Sequence, residues 1–239
     1  DYNVESKIIA AFVNFEWNLT EKTKLVTGIR GEKVDYEYET NITPGIKGRI
    51  QVAPNRSDDF TEFSPKLAIN HKINDDLAIF ANFSRGNRAP QTTDLYRIQS
   101  KQIPGGAKSE KLDSFEIGLR GNFSIFNLEL VGFDMQKENY FFRDSQGFNV
   151  ENGKTTHRGF EVNFLIEFNQ FFQIENSSSF AEHEYDFDHS PNGIKSGNQI
   201  DSAPELLANT RLIFTPKERT RIELEWEKIC LLYTSDAAD

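Results

Sequence analysis

The chain has 239 residues, with 27 Lys and Arg against 37 Asp and Glu, a net charge of -10, four His, one Cys and one Met. That acidity excludes non-specific capture of nucleic acid, the single Cys excludes a disulfide framework, and no run of about eighteen apolar residues exists to form a transmembrane helix. With 37% hydrophobic residues the sequence reads as water-soluble, yet a membrane barrel needs apolar residues only at alternate positions, and 21 Phe, 7 Tyr and 2 Trp suit a β protein.

The chain opens DYNVESKI, without an initiator Met or signal peptide, so a processed protein or a piece of a longer one is expected. Ala11, Val13, Phe15, Trp17 and Leu19 alternate with Phe12, Asn14, Glu16 and Asn18, the period of two of a strand with one apolar face. After the turn TEKT, Leu25, Thr27 and Ile29 continue into Tyr36 and Tyr38, and a polar loop with Pro and Gly follows from Glu39 to Phe60. Leu67, Ile69 and Ile73 share a face, and INDD turns the chain back into Leu77, Ile79, Ala81 and Phe83. A second long loop runs from about Gly86 to Leu112. Phe115, Ile117 and Leu119 then form a strand, and NFSIFN leads to Leu128 and Leu130. Both parities carry apolar residues from Val131 to Phe142, so no face is assigned there.

A third loop contains DSQGFNVENGKT. The clearest strand follows, with Phe160, Val162, Phe164, Ile166 and Phe168 on one side. A short turn at Asn169 and Gln170 leads to FFQIENSSSFAEHEYDF, and a fourth long loop extends to about Ala203. Leu206, Ala208, Thr210, Leu212 and Phe214 make a strand, TPKER a turn, and Ile222, Leu224 and Trp226 a last strand. Short and long connections alternate without exception, the pattern of up-and-down strands with tight turns at one end and extended loops at the other. Trp17, Phe123, Phe126, Phe168, Phe171, Phe172 and Phe214 crowd the short-turn end, while Tyr36, Tyr38, Tyr140, Tyr185 and Phe187 are expected to form a second lipid girdle at the other. A β-sandwich would instead bury these aromatics between two sheets, and a kelch-type propeller would need four short strands per repeat where only two long ones occur.

The stretch Ala81 to Tyr96, ANFSRGNRAPQTTDLY, leaves its strand at Pro90, which cannot donate to a sheet ladder. Through Ser84, Gly86, Arg88, Ala89 and Pro90 it resembles the S-x-G-x-R-A-P segment of TonB-dependent outer-membrane receptors, with Asn87 where that family usually has an aromatic. SPKLAI at Ser64, EKLDSFEIGLRG at Glu110, NGKTTHRGFEVNF at Asn152 (Asn152, Gly153, Gly159 and Glu161) and APELLANTRLIFTP at Ala203 resemble later parts of the same barrel. The resemblance implies an all-β, antiparallel up-and-down transmembrane β-barrel, of which residues 1 to 229 would supply about ten of 22 strands from the C-terminal half. It also implies a place in the outer membrane of a Gram-negative bacterium. Uptake of a scarce nutrient, foremost an iron-siderophore complex, would be energised through TonB.

Such receptors carry an N-terminal plug and a TonB box, neither of which precedes Asp1, and CLLYTSDAAD, residues 230 to 239, reads as a translated adapter without native meaning. The partners implied are outer-membrane lipid and lipopolysaccharide, TonB through an N-terminal part outside this chain, and an iron chelate or similar small ligand.

No nucleophile elbow, phosphate loop or paired-Cys motif occurs, so no enzyme activity, cofactor or metal is expected. His71, His157, His183 and His189 lack metal-ligand spacing apart from the acidic run HEYDFDH, which reads better as a solvated loop. The loop from Gly86 to Leu112 is basic in an acidic chain. Arg85, Arg88, Tyr96 and Arg97 are its candidate ligand-binding residues, because guanidinium forks suit carboxylate and catecholate oxygens. The alternative is a self-contained small outer-membrane barrel with a rim protease, whose Asp and His set would draw on His157, His183 or His189.

Overall fold

The computed structural model of the chain describes residues 2–99, 102–143, 149–190, 193–200 and 203–230. In chain order the elements are β1 (Tyr2–Asn18), β2 (Thr23–Thr40), β3 (Gly45–Lys47), β4 (Ile50–Val52), β5 (Arg56–Lys72), β6 (Leu77–Arg88), α1 (Thr92–Tyr96) and β7 (Ile98–Gln99). They continue with β8 (Glu110–Phe123), β9 (Phe126–Arg143), β10 (Asn149–Asn169), β11 (Phe172–Tyr185), β12 (Leu206–Lys217) and β13 (Thr220–Ile229). Ten of the strands form one antiparallel sheet in the order β1-β2-β5-β6-β8-β9-β10-β11-β12-β13, each beside its sequence neighbour, and β3, β4 and β7 make a small separate sheet. The sheet is open at β1 and β13 among the described residues.

Cross-strand register carries the alternating pattern from one strand to the next. Directly paired residues share a face, and one such row runs Trp17, Leu25, Ile69, Ala81, Ile117, Gly132, Phe160, Phe180 and Leu206. It starts beside the short turn in β1 and ends at the loop end of β12, the stagger that strands tilted to a barrel axis require. Around it Phe63, Leu67, Phe115, Leu224 and Trp226 keep between 49% and 69% of their surface exposed. No second sheet covers this belt among the described residues, which rules out the sandwich. Midway along it Asn176 donates to Thr210 Oγ1 at 2.8 Å and accepts from Ser178 at 3.0 Å, so these polar groups satisfy one another.

At the short-turn end the expected aromatics stack, Phe123 with Phe126 and Phe172 with Phe214, and Trp17 stacks on Phe15, which the expected set did not include. The loop-end girdle is a correction. Tyr36 and Tyr38 fall on the face opposite the belt and are buried, and Tyr140, Phe142, Tyr185 and Phe187 form one aromatic cluster with each other. The aromatics bordering the belt towards the loops are Phe63, Phe83, Phe115, Phe160 and Phe180, which the register places on the apolar side.

The strands also run further towards the loops than the alternation alone marks, since β1 begins at Tyr2 and β10 at Asn149. Above the belt both faces meet water or loops, and the period-two signal fades. The ambiguous stretch from Val131 to Phe142 is β9, whose parity changes where the register shifts opposite Asn152 and Gly153; Asn139 and Asn152 take φ of 56° and 60°. Asn tolerates this left-handed backbone better than most residues, as bulges need. Gly159 is required by close approach: a Cβ there would lie 2.1 Å from the Phe180 carbonyl oxygen.

Candidate functional site

The main buried cluster lies on the face opposite the belt, at the loop end. Val34, Tyr36 and Tyr38 of β2 are covered by Ala53, Leu95, Tyr96 and Ala107, with Val4, Phe60 and Ala89 packed around them. The second long loop thus folds inward over the polar face of β1, β2 and β5. Its chain leaves β6 at Arg88, Pro90 prevents further pairing, and Gln91 starts α1 with a reciprocal capping box in which Asp94 accepts from the Gln91 N–H at 3.0 Å.

Two polar networks pin this loop. Tyr96 stacks on Tyr38 with ring centroids 4.5 Å apart and donates to Asp58 Oδ2 at 2.9 Å. Asp58 also accepts from Arg56 Nε at 2.7 Å, Arg56 donates to the Pro104 carbonyl, and Tyr36 donates to the Pro90 carbonyl at 3.1 Å. Burial and the Asp58 carboxylate push the Tyr96 hydroxyl well above the ordinary tyrosine range. On the far side Asn149 donates its backbone N–H to Gln99 Oε1 and its side-chain amide to Gln102 Oε1, both at 2.9 Å, and Gln102 donates to Glu151. The loop therefore bridges β5 and β10 across the mouth.

Between these anchors a narrow cleft of mixed charge is bounded by Arg88, Asp94, Lys108, Glu110 and Glu151. Arg88 Nη2 donates to Glu110 Oε1 at 2.8 Å, Lys137 Nζ lies 3.3 Å from Glu110 Oε2, and the Phe141 N–H donates to Glu110 at 3.2 Å. Burial raises the Glu110 carboxyl, but these three donors outweigh it and hold the group below its ordinary range.

The four sequence candidates are dispersed. Arg85 faces the belt side, above Phe83, and is held by Asp113 in a bidentate pair with both bonds 2.6 Å. Arg88 faces the polar side but is engaged by Glu110, and Tyr96 is 3% exposed and anchors the loop. Arg97, the C-cap of α1, is exposed and has no ion-pair partner among the described residues. The basic character of the stretch hid the fact that two of its guanidiniums already have carboxylate partners one strand away. No group of three His, Cys, Asp or Glu side chains is placed to hold a metal ion among the described residues. Of the histidines considered for a rim protease, His157 bonds to Thr155 and His183, and His189 lies against Phe187.

What the sequence did not reveal is the pairing of His157 with His183, whose Nδ1 atoms are 2.7 Å apart on the polar face. They are direct register partners on β10 and β11, and Met135 of β9 stands opposite His157.

A single tilted sheet of long antiparallel strands, apolar on one face and polar on the other, with tight turns at one end and folded loops at the other, is the wall of a transmembrane β-barrel. The TonB dependent receptor-like β-barrel family model matches residues 1–230, and the chain belongs to that family. No curated protein matches it in sequence. Among solved structures it is similar to the copper transporter OprC (TM-score 0.76, 16% identity, 95% of this chain and 35% of that one) and to the ferric citrate transporter FecA (0.76, 15%, 95% and 33%). It is also similar to the ferric-catecholate import receptor Fiu from E. coli (0.71, 14%, 95% and 34%). The chain spans about a third of the length of these structures.

Proposed function

We propose that the protein containing this chain is an energy-coupled outer-membrane receptor of a Gram-negative bacterium that imports a scarce nutrient, foremost an iron-siderophore complex, and performs no covalent chemistry. Family membership supports transport, and the likeness to the ferric citrate transporter FecA and the ferric-catecholate import receptor Fiu supports an iron chelate as cargo. TonB, through a part of the protein outside this chain, would supply the energy, and outer-membrane lipid with lipopolysaccharide would surround the wall.

One observation carries the choice of an anionic ligand. Arg97 projects from a loop fixed over the mouth by buried Tyr96, in a chain of net charge -10, and its charge has no carboxylate partner among the described residues. Arg97 makes the first contact with carboxylate or catecholate oxygens, Arg88 forms the neighbouring wall with Glu110, and Tyr96 sets the loop geometry. Arg85, on the other face, holds β6 to β8 through Asp113. The test is uptake of radioiron from a panel of ferric chelates by cells carrying the full receptor, with binding to purified Arg97→Glu. Reversal of the charge is expected to weaken binding of the transported chelate about tenfold, or about 1.4 kcal/mol. Unchanged affinity would reject the role of Arg97, and no receptor-dependent uptake of any ferric chelate would reject the iron assignment.

A further inference from the structure

On the reading that the cargo is an anionic ferric chelate, we propose that the small sheet β3-β4-β7 is a second wall of the ligand site and takes a hydrocarbon arm of that chelate, so that the cargo is an amphiphile.

The sheet is fixed on the polar side of the barrel wall. Ala53, next to β4, packs with Leu95 and Tyr96 over Val34, Tyr36 and Tyr38, and β4 pairs with β7 just beyond α1. Directly paired residues share a face. Ile46, Gln51 and Ile98 therefore lie on one side, where Ile98 is buried, and Lys47, Ile50 and Gln99 lie on the other. Gln99 shows where that second side looks, since its Oε1 accepts from the Asn149 N–H at 2.9 Å, at the start of β10. The face bearing Ile50 is thus turned across the mouth. Bilayer lipid lies against the belt, on the opposite side of the wall.

This face is both apolar and basic. Ile50 is 59% exposed beside Gln99, and Ile103 is 73% exposed next to Gln102, whose side chain also joins the bridge to Asn149. Lys47 stands directly opposite Ile50 and has no ion-pair partner among the described residues. Arg97 immediately precedes β7. From residue 41 to residue 55 the sequence has no acidic side chain, although the net charge of the chain is -10. A bare anion would engage the cations alone and leave both isoleucines in water. A ligand with a charged head and an aliphatic arm satisfies the whole face: the head meets Arg97 and Lys47, and the arm covers Ile50 and Ile103. Each methylene removed from water in this way is worth about fourfold in affinity.

The test compares two ferric citrate-based dihydroxamate complexes of equal charge, one acetylated and the other octanoylated at the hydroxamates, in binding to the purified full receptor. The wild type is expected to hold the octanoyl complex at least roughly tenfold more tightly. Ile50→Asn and Ile103→Asn should each cut that preference to about threefold or less. Lys47→Glu should weaken both complexes alike, by roughly fivefold. Heat-modifiable migration in gels identifies the folded variants, and either isoleucine change serves if the other does not fold. Equal binding of the two complexes by the wild type would overturn the hydrocarbon arm and leave the anionic chelate standing. A preference that survives the isoleucine changes would overturn it too, because another segment of the receptor then covers Ile50 and Ile103. Binding of neither complex would also overturn it, whereas the ferric-chelate reading is judged separately, by uptake of the chelate panel.

Discussion

Tyr96 donates its hydroxyl to Asp58 at 2.9 Å while its ring lies on Tyr38, so one side chain from the long loop is fixed both to β5 and to β2. The loop is thereby part of the folded wall.

Tyr96→Phe removes the bond to Asp58 and keeps the stack, an expected loss of about 1 kcal/mol of loop anchoring. Tyr96→Ala also removes the buried ring, an expected loss of about 3–5 kcal/mol. Limited proteolysis of the intact receptor between Pro90 and Ser109 should rank wild type, Phe and Ala variants in that order of resistance.

Glu110 gives the anchoring an acid limit. Its pKa is below the ordinary value of 4.5 in the folded protein, so it contributes stability above that pH, and the contribution is lost as pH falls through the folded value. Hydrogen exchange at the Phe141 amide, which donates to Glu110, should therefore accelerate below about pH 4.5 relative to neighbouring strand amides. In Glu110→Gln this additional acceleration should disappear, and its persistence would assign the acid limit to another group.

The belt makes opposite demands on adjacent residues. Ile117 is 58% exposed on the apolar face, whereas Glu116 points the other way. Ile117→Arg is expected to cost about 2–4 kcal/mol at the depth of the hydrocarbon. Glu116→Gln should leave folding nearly unchanged. Urea titration of the receptor in lipid vesicles separates the two, and equal effects would mean that Ile117 does not face lipid.

Much of the wall was legible in the sequence because a lipid-facing strand must repeat with period two. The segment from Phe160 to Phe168 shows this most plainly, and short turns such as INDD mark where the chain reverses. Tyr36 and Tyr38 were misplaced for a physical reason. Above the hydrocarbon an aromatic is equally suited to headgroups and to a core under a folded loop, and only α1 and Ala107, which cover these rings, decide between them. The candidate site was less legible still, since the engagement of Arg85 by Asp113 is made across β6 and β8, far apart along the chain.

The residue pattern by itself determined the class of fold, the up-and-down order of the strands and the face that meets lipid, because each follows from local alternation and from turn length. Only the tertiary structure decided which histidine faces which. Between Glu167 and Asn169 the register with β11 shifts by one residue at Phe168. Without that bulge His157 would pair with Glu184, and His183 would lie on the opposite face, because one step along a strand reverses the direction of every side chain.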